Sequence, residues 1–357
     1  MRARCEEFVS TVIKGRRIVI HRAVETLPQQ DAYKQIMRKL LLLLGIALLA
    51  LPLFAQNTAM QQAQAAFDAY RWDEAARILR PLQNSGDGAV QALLGKIAEQ
   101  QHDLESAASH FEKAVEAQPK NAEYHFLLGA AYGQQAQKAS MFKMASLAGK
   151  TKDEFETAIK LNPNHLEARW GVMQYYMMAP GFVGGSEDKA LNEANEIKKR
   201  DNYMGHRARA WVFTHQKKTD LARKEYIDAV REEPNAARSH TGLGSYYAIN
   251  DKNYKAAAEE FAAALRLDPN FMPAQFRIGQ SAALSATNFA EGEQALRKYL
   301  TYKPKENEPN LGSAWYYLGM LYEKQGKKAE ARGAYLAAQK IVGTDDKSVA
   351  EALKRVS

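Results

Sequence analysis

The chain has 357 residues, 46% hydrophobic and 25% charged, a composition that excludes a disordered or low-complexity polypeptide. One cysteine excludes a disulfide framework within the chain. The net charge of +8 belongs largely to residues 1–55, where nine Lys/Arg meet four Asp/Glu; the remainder carries +3, which gives no electrostatic footprint of nucleic-acid binding.

Residues 1–36 are polar and basic, show no period and contain the cysteine, Cys5. Arg38-Lys39 then precede an apolar run of fifteen residues, Leu40 to Phe54, interrupted by Pro52 and followed by Ala55. Such a run is short for a permanent bilayer span. A charged start, a short apolar core, a helix breaker and a small residue predict a secretory signal peptide over 37–55, with Gln56 as the mature N-terminus; the alternative is an uncut signal anchor. A signal peptide begins a chain and Met37 stands where a start belongs, so residues 1–36 are expected to be an over-extended N-terminus. The mature protein is then periplasmic or secreted, without cysteine and without a stable membrane span. No Cys follows the apolar run, which excludes a lipoprotein anchor.

From Gln56 onward, one pattern of small and large residues recurs. The first unit, 56–87, is weak: Ala63, Ala66, Trp72, Ala75, Leu79, Leu82. The second, 88–121, has Leu94, Gly95, Ala107, Phe111, Ala114 and Pro119. The third has Leu128, Gly129, Tyr132, Phe155, Ala158 and Pro163, with about ten extra residues around Gln135 to Lys150, against a repeat of roughly 34. The fourth has a first helix over Leu166–Met178, then Pro180-Gly-Phe-Val-Gly-Gly-Ser186 in place of a short turn. The fifth gives Ala210, Phe213, Ala222, Tyr226, Ala229 and Pro234, and the sixth Leu243, Gly244, Ala257, Phe261, Ala264 and Pro269. The seventh gives Ile278, Gly279, Phe289, Leu296 and Pro304. The eighth is the clearest: Trp315, Leu318, Gly319 and Tyr322 follow W-x2-L-G-x2-Y, then come Ala331, Tyr335 and Ala338, with Gly326 at the turn. Spacings of three and four put each set on one helical face, where small residues admit a neighbouring helix and large ones fill the gap. Pro119, Pro163, Pro234, Pro269 and Pro304 recur just after the second helices, at separations of 44, 71, 35 and 35. Proline there ends one unit and sets the turn to the next. Lys347–Val356 reads as a terminal solvating helix.

These motifs resemble the tetratricopeptide repeat (TPR), a pair of antiparallel helices that buries its apolar face only by stacking on further copies. The resemblance implies an all-α, right-handed superhelical solenoid of about eight TPR-like helix pairs over 56–345, closed by a capping helix over 346–357. It also implies that the first helix of each pair lines a concave groove. Carried over by register, the groove residues are Phe126, Trp170, Gln174, Arg207, Trp211, His215, Arg238, Thr241, Phe276, Arg277, Gln280 and Tyr316, joined by Ala130, Met177, Ser245 and Met320. Aromatics, arginines and amides suit an extended peptide or a partner helix. The Lys/Asn clamp that some TPR domains place around a C-terminal carboxylate is not matched.

Signs of other chemistry are weak. The glycine-rich Pro180–Ser186 stretch follows a helix rather than a strand and lacks a Lys-Ser/Thr pair, so it reads as a turn whose Ser186 caps the next helix. It is similar to an insert in bacterial envelope TPR proteins. The eight histidines show no H-E-x-x-H pattern and read as helix-surface residues; Glu232-Glu233 and Glu259-Glu260 read as solvated helix faces. No nucleophile motif occurs. The expectation is a non-catalytic scaffold of the bacterial cell envelope, without cofactor or metal, that binds a peptide or partner protein. The alternative is a glycan-binding accessory subunit of polysaccharide or cell-wall processing, since groove aromatics also stack on sugars.

Overall fold

The computed structural model describes residues 12–13, 16–17, 37–39, 57–305, 307–344 and 346–357, in two units that divide between Gln61 and Gln62. In the first unit Val12–Ile13 pairs antiparallel with Arg16–Arg17, and residues 37–39 are helical. Cys5 and the apolar run of the expected signal peptide lie outside the described residues. Among the described residues no helix is long and apolar enough to cross a membrane.

The second unit is a run of helix pairs. α1 covers 57–68, of which 62–68 belong to this unit, and Phe67 packs on Trp72 at the start of α2 (Trp72–Leu79); α3 (Gly88–Gln100) pairs with α4 (Leu104–Ala117), and α5 (Ala122–Lys138) with α6 (Met141–Leu161). Next come α7 (Leu166–Met178) with α8 (Glu187–Lys198), and α9 (Asn202–His215) with α10 (Thr219–Glu232). α11 (Ala237–Ile249) with α12 (Tyr254–Leu267), α13 (Met272–Ser285) with α14 (Phe289–Tyr299), and α15 (Leu311–Lys324) with α16 (Lys328–Val342) complete eight pairs. α17 (Lys347–Arg355) covers the end of α16 and buries Val349 and Ala352. This second unit is an all-α solenoid.

Local chemistry sets the helix limits. Asp87, Asp103, Asn121, Asp201, Asn253 and Asn310 each accept a backbone N–H in the first turn of the helix that follows. Pro119, Pro163, Pro234 and Pro269 follow the ends of α4, α6, α10 and α12 by two residues, and Pro304 follows α14 by five. Within a pair, a glycine of the first helix meets a large side chain of the second. A Cβ on Gly95 would lie 2.5 Å from the Phe111 ring, and one on Gly319 would lie 2.6 Å from Tyr335. Ala257, Phe261 and Ala264 are buried between α12 and its neighbours.

The extra residues of the third unit do not form a loop. They lengthen α5 to 17 residues and α6 to 21, leaving only Ala139 and Ser140 between the two helices.

Candidate partner-binding face

Successive first helices, from α3 through α5, α7, α9, α11 and α13 to α15, pack directly on one another. Second helices pack mainly on the helices before and after them in the chain. The more closely spaced row of a curved stack is the inner row, so the first helices form the inner side of the array.

Tyr203, Arg207, Trp211 and His215 stand four residues apart on α9 and therefore form one stripe. Trp211 faces Trp170 of α7, with ring centroids 6.4 Å apart at 59°. Both tryptophans are half-buried, and both pack on the core formed by Met173, Ala208 and Val212. Arg207 is exposed and its Cζ lies 4.9 Å from the centroid of the Trp170 ring. His215 stacks on Trp211 at 3.7 Å, and its Nδ1 is 2.9 Å from the Trp211 carbonyl.

On α13, Arg277 is half-buried and donates to Gln280 Oε1 at 2.7 Å, while Gln280 donates to the Tyr317 hydroxyl at 2.7 Å. The Arg277 charge is felt by Tyr203, Tyr317, Arg207 and Tyr226. Burial pulls the pKa of Arg277 below its ordinary value, and Tyr203 and Tyr317 oppose that pull. Burial likewise pushes the Tyr203 hydroxyl up, against the opposing effect of Arg207, Arg277 and Arg238. Among the described residues neither Arg207 nor Arg277 has a carboxylate partner. Arg238 differs: Asp201 at 2.8 Å and Glu233 at 3.1 Å neutralise it, and its Cζ lies 5.3 Å from the Tyr203 ring.

The remaining expected groove residues are dispersed. Gln174 is half-buried one turn after Trp170. Phe126 packs between Phe155 at 5.9 Å and His165 at 5.1 Å. Tyr316 packs against Tyr317 and Tyr335. Thr241 is buried and donates to its own helix at Ala237 O, and Phe276 is 2% exposed against Tyr299. These two residues serve packing. Tyr203 and Tyr317 are additions; the four-residue spacing of Tyr203, Arg207, Trp211 and His215 was the signal for the first, whereas Tyr317 depends on Gln280 of the preceding pair.

Two readings of the sequence change. His125, His165 and His206 are buried rather than helix-surface residues, and His240 is half-buried. Each faces carboxylate: Glu154 for His125, Glu123 and Glu167 for His165, Glu225 and Glu232 for His206, Glu260 for His240. Glu232, Glu233 and Glu260 are accordingly ion-pair partners rather than members of idle solvated faces. The Pro180–Ser186 stretch is a built turn. Gly181–Val183 forms one turn of 3-10 helix, Gly184 takes φ +97°, the Tyr175 hydroxyl donates to Val183 O, and Ser186 Oγ caps α8 at Lys189 N.

The tetratricopeptide repeat family model matches residues 60–122, 92–138, 207–270 and 281–346, together more than half of the chain. The longer of the two unmatched stretches between them, 139–206, holds α6, α7, the Pro180–Ser186 turn and α8. The general transcriptional corepressor trfA of Dictyostelium discoideum is 26% identical over 129 residues, which are 36% of this chain and 9% of that protein. A tetratricopeptide repeat protein of Parabacteroides merdae is similar in structure with a TM-score of 0.42 and 15% identity, over 85% of this chain and 98% of that one. A thermophilic TPR protein of Thermus thermophilus gives 0.41 and 14%, over 65% and 99%. On the strength of the repeat matches and the eight stacked helix pairs, the chain belongs to the tetratricopeptide repeat family and is a scaffold for protein–protein interaction.

Proposed function

We propose that this scaffold works in the bacterial cell envelope and holds an extended peptide segment of a partner protein along α7, α9, α11 and α13. One observation carries the reading: on the inner row of helices Arg207 stands over Trp170, which faces Trp211, a second guanidinium, Arg277, lies within electrostatic reach of Arg207, and neither arginine has a carboxylate partner among the described residues. Two like charges within reach of one another are unfavourable until an anion joins them. Acidic side chains of a peptide supply that anion, and the tryptophans give its apolar side chains a rigid surface. Catalysis has no part in the reading. Export is supported by Arg38-Lys39, the apolar run after them and Ala55.

An array of acidic, extended peptides tests the face. Arg207→Gln and Trp211→Ala are each expected to weaken the best binder by about thirtyfold, roughly 2 kcal/mol, with circular dichroism unchanged. Competition by free oligosaccharide would transfer the face to a glycan ligand, and undiminished binding by both folded variants would move the site elsewhere. Export is checked by sequencing the N-terminus of the protein recovered from the producing cell; a start near Gln56 is expected, and an intact residue 1–36 segment would contradict it.

A further inference from the structure

Four large apolar side chains stand out from the rest of the surface: Phe142 is 93% exposed, Phe182 78%, Met141 74% and Met178 62%, whereas every other large apolar residue described is below 50%. All four belong to the two irregular units. Met141 and Phe142 open α6 at the tip of the lengthened α5–α6 hairpin. Phe182 sits in the 3-10 turn Gly181–Val183, and Met178 ends α7 just before it. That turn packs on α6, and the Tyr176 hydroxyl ties α7 to Glu156 of α6 at 3.1 Å. The two inserts are therefore neighbours on one edge of the array. Other first and second helices run to about 13 or 14 residues; α6 exceeds them by about two turns, which carries its tip roughly 10 Å beyond that edge.

Charge accompanies the exposed apolar side chains. Residues 135–152 contain Lys138, Lys143, Lys150 and Lys152 and no acidic residue, a net of +4 in a stretch of eighteen, although residues 56–357 together carry only +3. Lys138 and Lys143 flank Met141 and Phe142, are exposed, and have no carboxylate partner among the described residues. Lys150 lies over the Tyr132 ring and Lys152 pairs with Glu156 at 3.4 Å, so Lys138 and Lys143 are the two charges that stand beside the exposed Met141 and Phe142, and together they make an amphipathic tip that suits the boundary between anionic headgroups and acyl chains. A protein-binding hot spot is ordinarily a partly enclosed pocket with shielded aromatics; a convex tip with a ring almost wholly in solvent lacks that enclosure.

We propose that the α5–α6 tip, helped by the Phe182 turn, docks this scaffold on an anionic lipid surface. Met141 and Phe142 enter the interface, Lys138 and Lys143 meet the headgroups, and the array is held edge-on with its inner face free for a partner.

The test uses the full chain with a local readout, because the apolar run 40–54 would itself partition into lipid. An environment-sensitive fluorophore is attached to Phe142→Cys in a Cys5→Ser background. Vesicles containing phosphatidylglycerol are expected to shift its emission to the blue, pure phosphatidylcholine vesicles to leave it unchanged, and Lys138→Glu with Lys143→Glu to weaken the shift by at least about tenfold in lipid concentration. In unlabelled protein, Met141→Ser with Phe142→Ser leaves helical content intact, since neither side chain is buried. The proposal is overturned if the label does not respond to anionic vesicles, if it responds equally to phosphatidylcholine, or if only added protein shifts it.

Discussion

At residue scale, one polar device recurs across the pairs. Gln91, His125, Arg169 and His240 occupy corresponding places in first helices. Each donates to the carbonyl six residues earlier, at Ser85, Pro119, Pro163 and Pro234, over 2.9 to 3.0 Å. Each also meets a side chain of the second helix: His110, Glu154, Glu193 and Glu260. One residue thus ties the interpair turn to both helices of its unit and satisfies a carbonyl that no helix can use. His165 does a different job at the start of α7. Its Nδ1 accepts Ala168 N–H at 3.3 Å when the ring is neutral. The carboxylates of Glu123 at 3.2 Å and Glu167 at 3.4 Å favour the charged ring, and they raise its pKa to about 9 against burial. A folded-state pKa above the unfolded value of about 6.5 stabilises the fold fully below pH 6.5, and this contribution is lost as pH rises through 9. The melting temperature of the wild type is therefore expected to fall between pH 6.5 and 9.5. His165→Asn keeps an N-cap and removes the titration, so its melting temperature should fall less over the same range; parallel curves would deny His165 this role.

At element scale, the hairpin is the unit of packing. Ala264 is fully buried on α12 behind Phe261, and Ala262 on the same helix is exposed. Ala264→Leu is expected to overpack the crossing and cost about 1–3 kcal/mol in chemical denaturation, with Ala262→Leu within about 0.5 kcal/mol of wild type. Equal losses would place the wrong face of α12 inward. The same close packing made the fold legible in the sequence. Where Gly95 meets Phe111 and Gly319 meets Tyr335, a small residue and a ring must recur at one spacing, and that spacing is visible without coordinates. The extra residues of the third unit were visible as length, but their continuation as helix came from Ala-, Gln- and Lys-rich segments whose intrinsic preference had to be weighed against a loop. The ion pairs were not visible. His125 finds Glu154 at a separation of 29 residues and Arg238 finds Asp201 at 37, so each depends on how one helix is rotated against another. For the candidate face, this divides α9 from α11: the register carried over from the repeat resemblance put Arg207, Trp211 and His215 on one stripe, while the neutralisation of Arg238 required the neighbouring pair.

At the scale of the whole second unit, the two ends of the array approach each other. Lys303, in the segment after α14, lies 2.6 Å from Asp68 of α1 across a separation of 235 residues. Beside this pair is a cleft of about 1100 Å³, with Phe67, Tyr70 and Trp72 of the first pair on one wall and Tyr302, Leu311 and Val342 on the other. The array has therefore turned far enough for its first pair to face its seventh and eighth. Burial raises the Asp68 carboxyl, but hydrogen bonds from Lys303 and Gln64 outweigh it and hold its pKa below the ordinary value. Lys303 is 73% exposed at its side chain, so the bridge contributes at most about 1 kcal/mol and is weakened by salt. A solenoid is otherwise held by contacts between neighbouring units, which resist opening only through the summed stiffness of many interfaces. A weak, screened bridge across the ends can shift such a structure between closed and open forms without unfolding any unit. Lys303→Glu is expected to increase the radius of gyration in small-angle scattering at low salt, with circular dichroism unchanged. Wild type in about 0.5 M salt should approach the same value. Exchanging the charges, Asp68→Lys with Lys303→Asp, should restore the closed dimension at low salt. If Lys303→Glu matches wild type at every ionic strength, the pair does not hold the ends together, and the apolar walls of the cleft must do so instead.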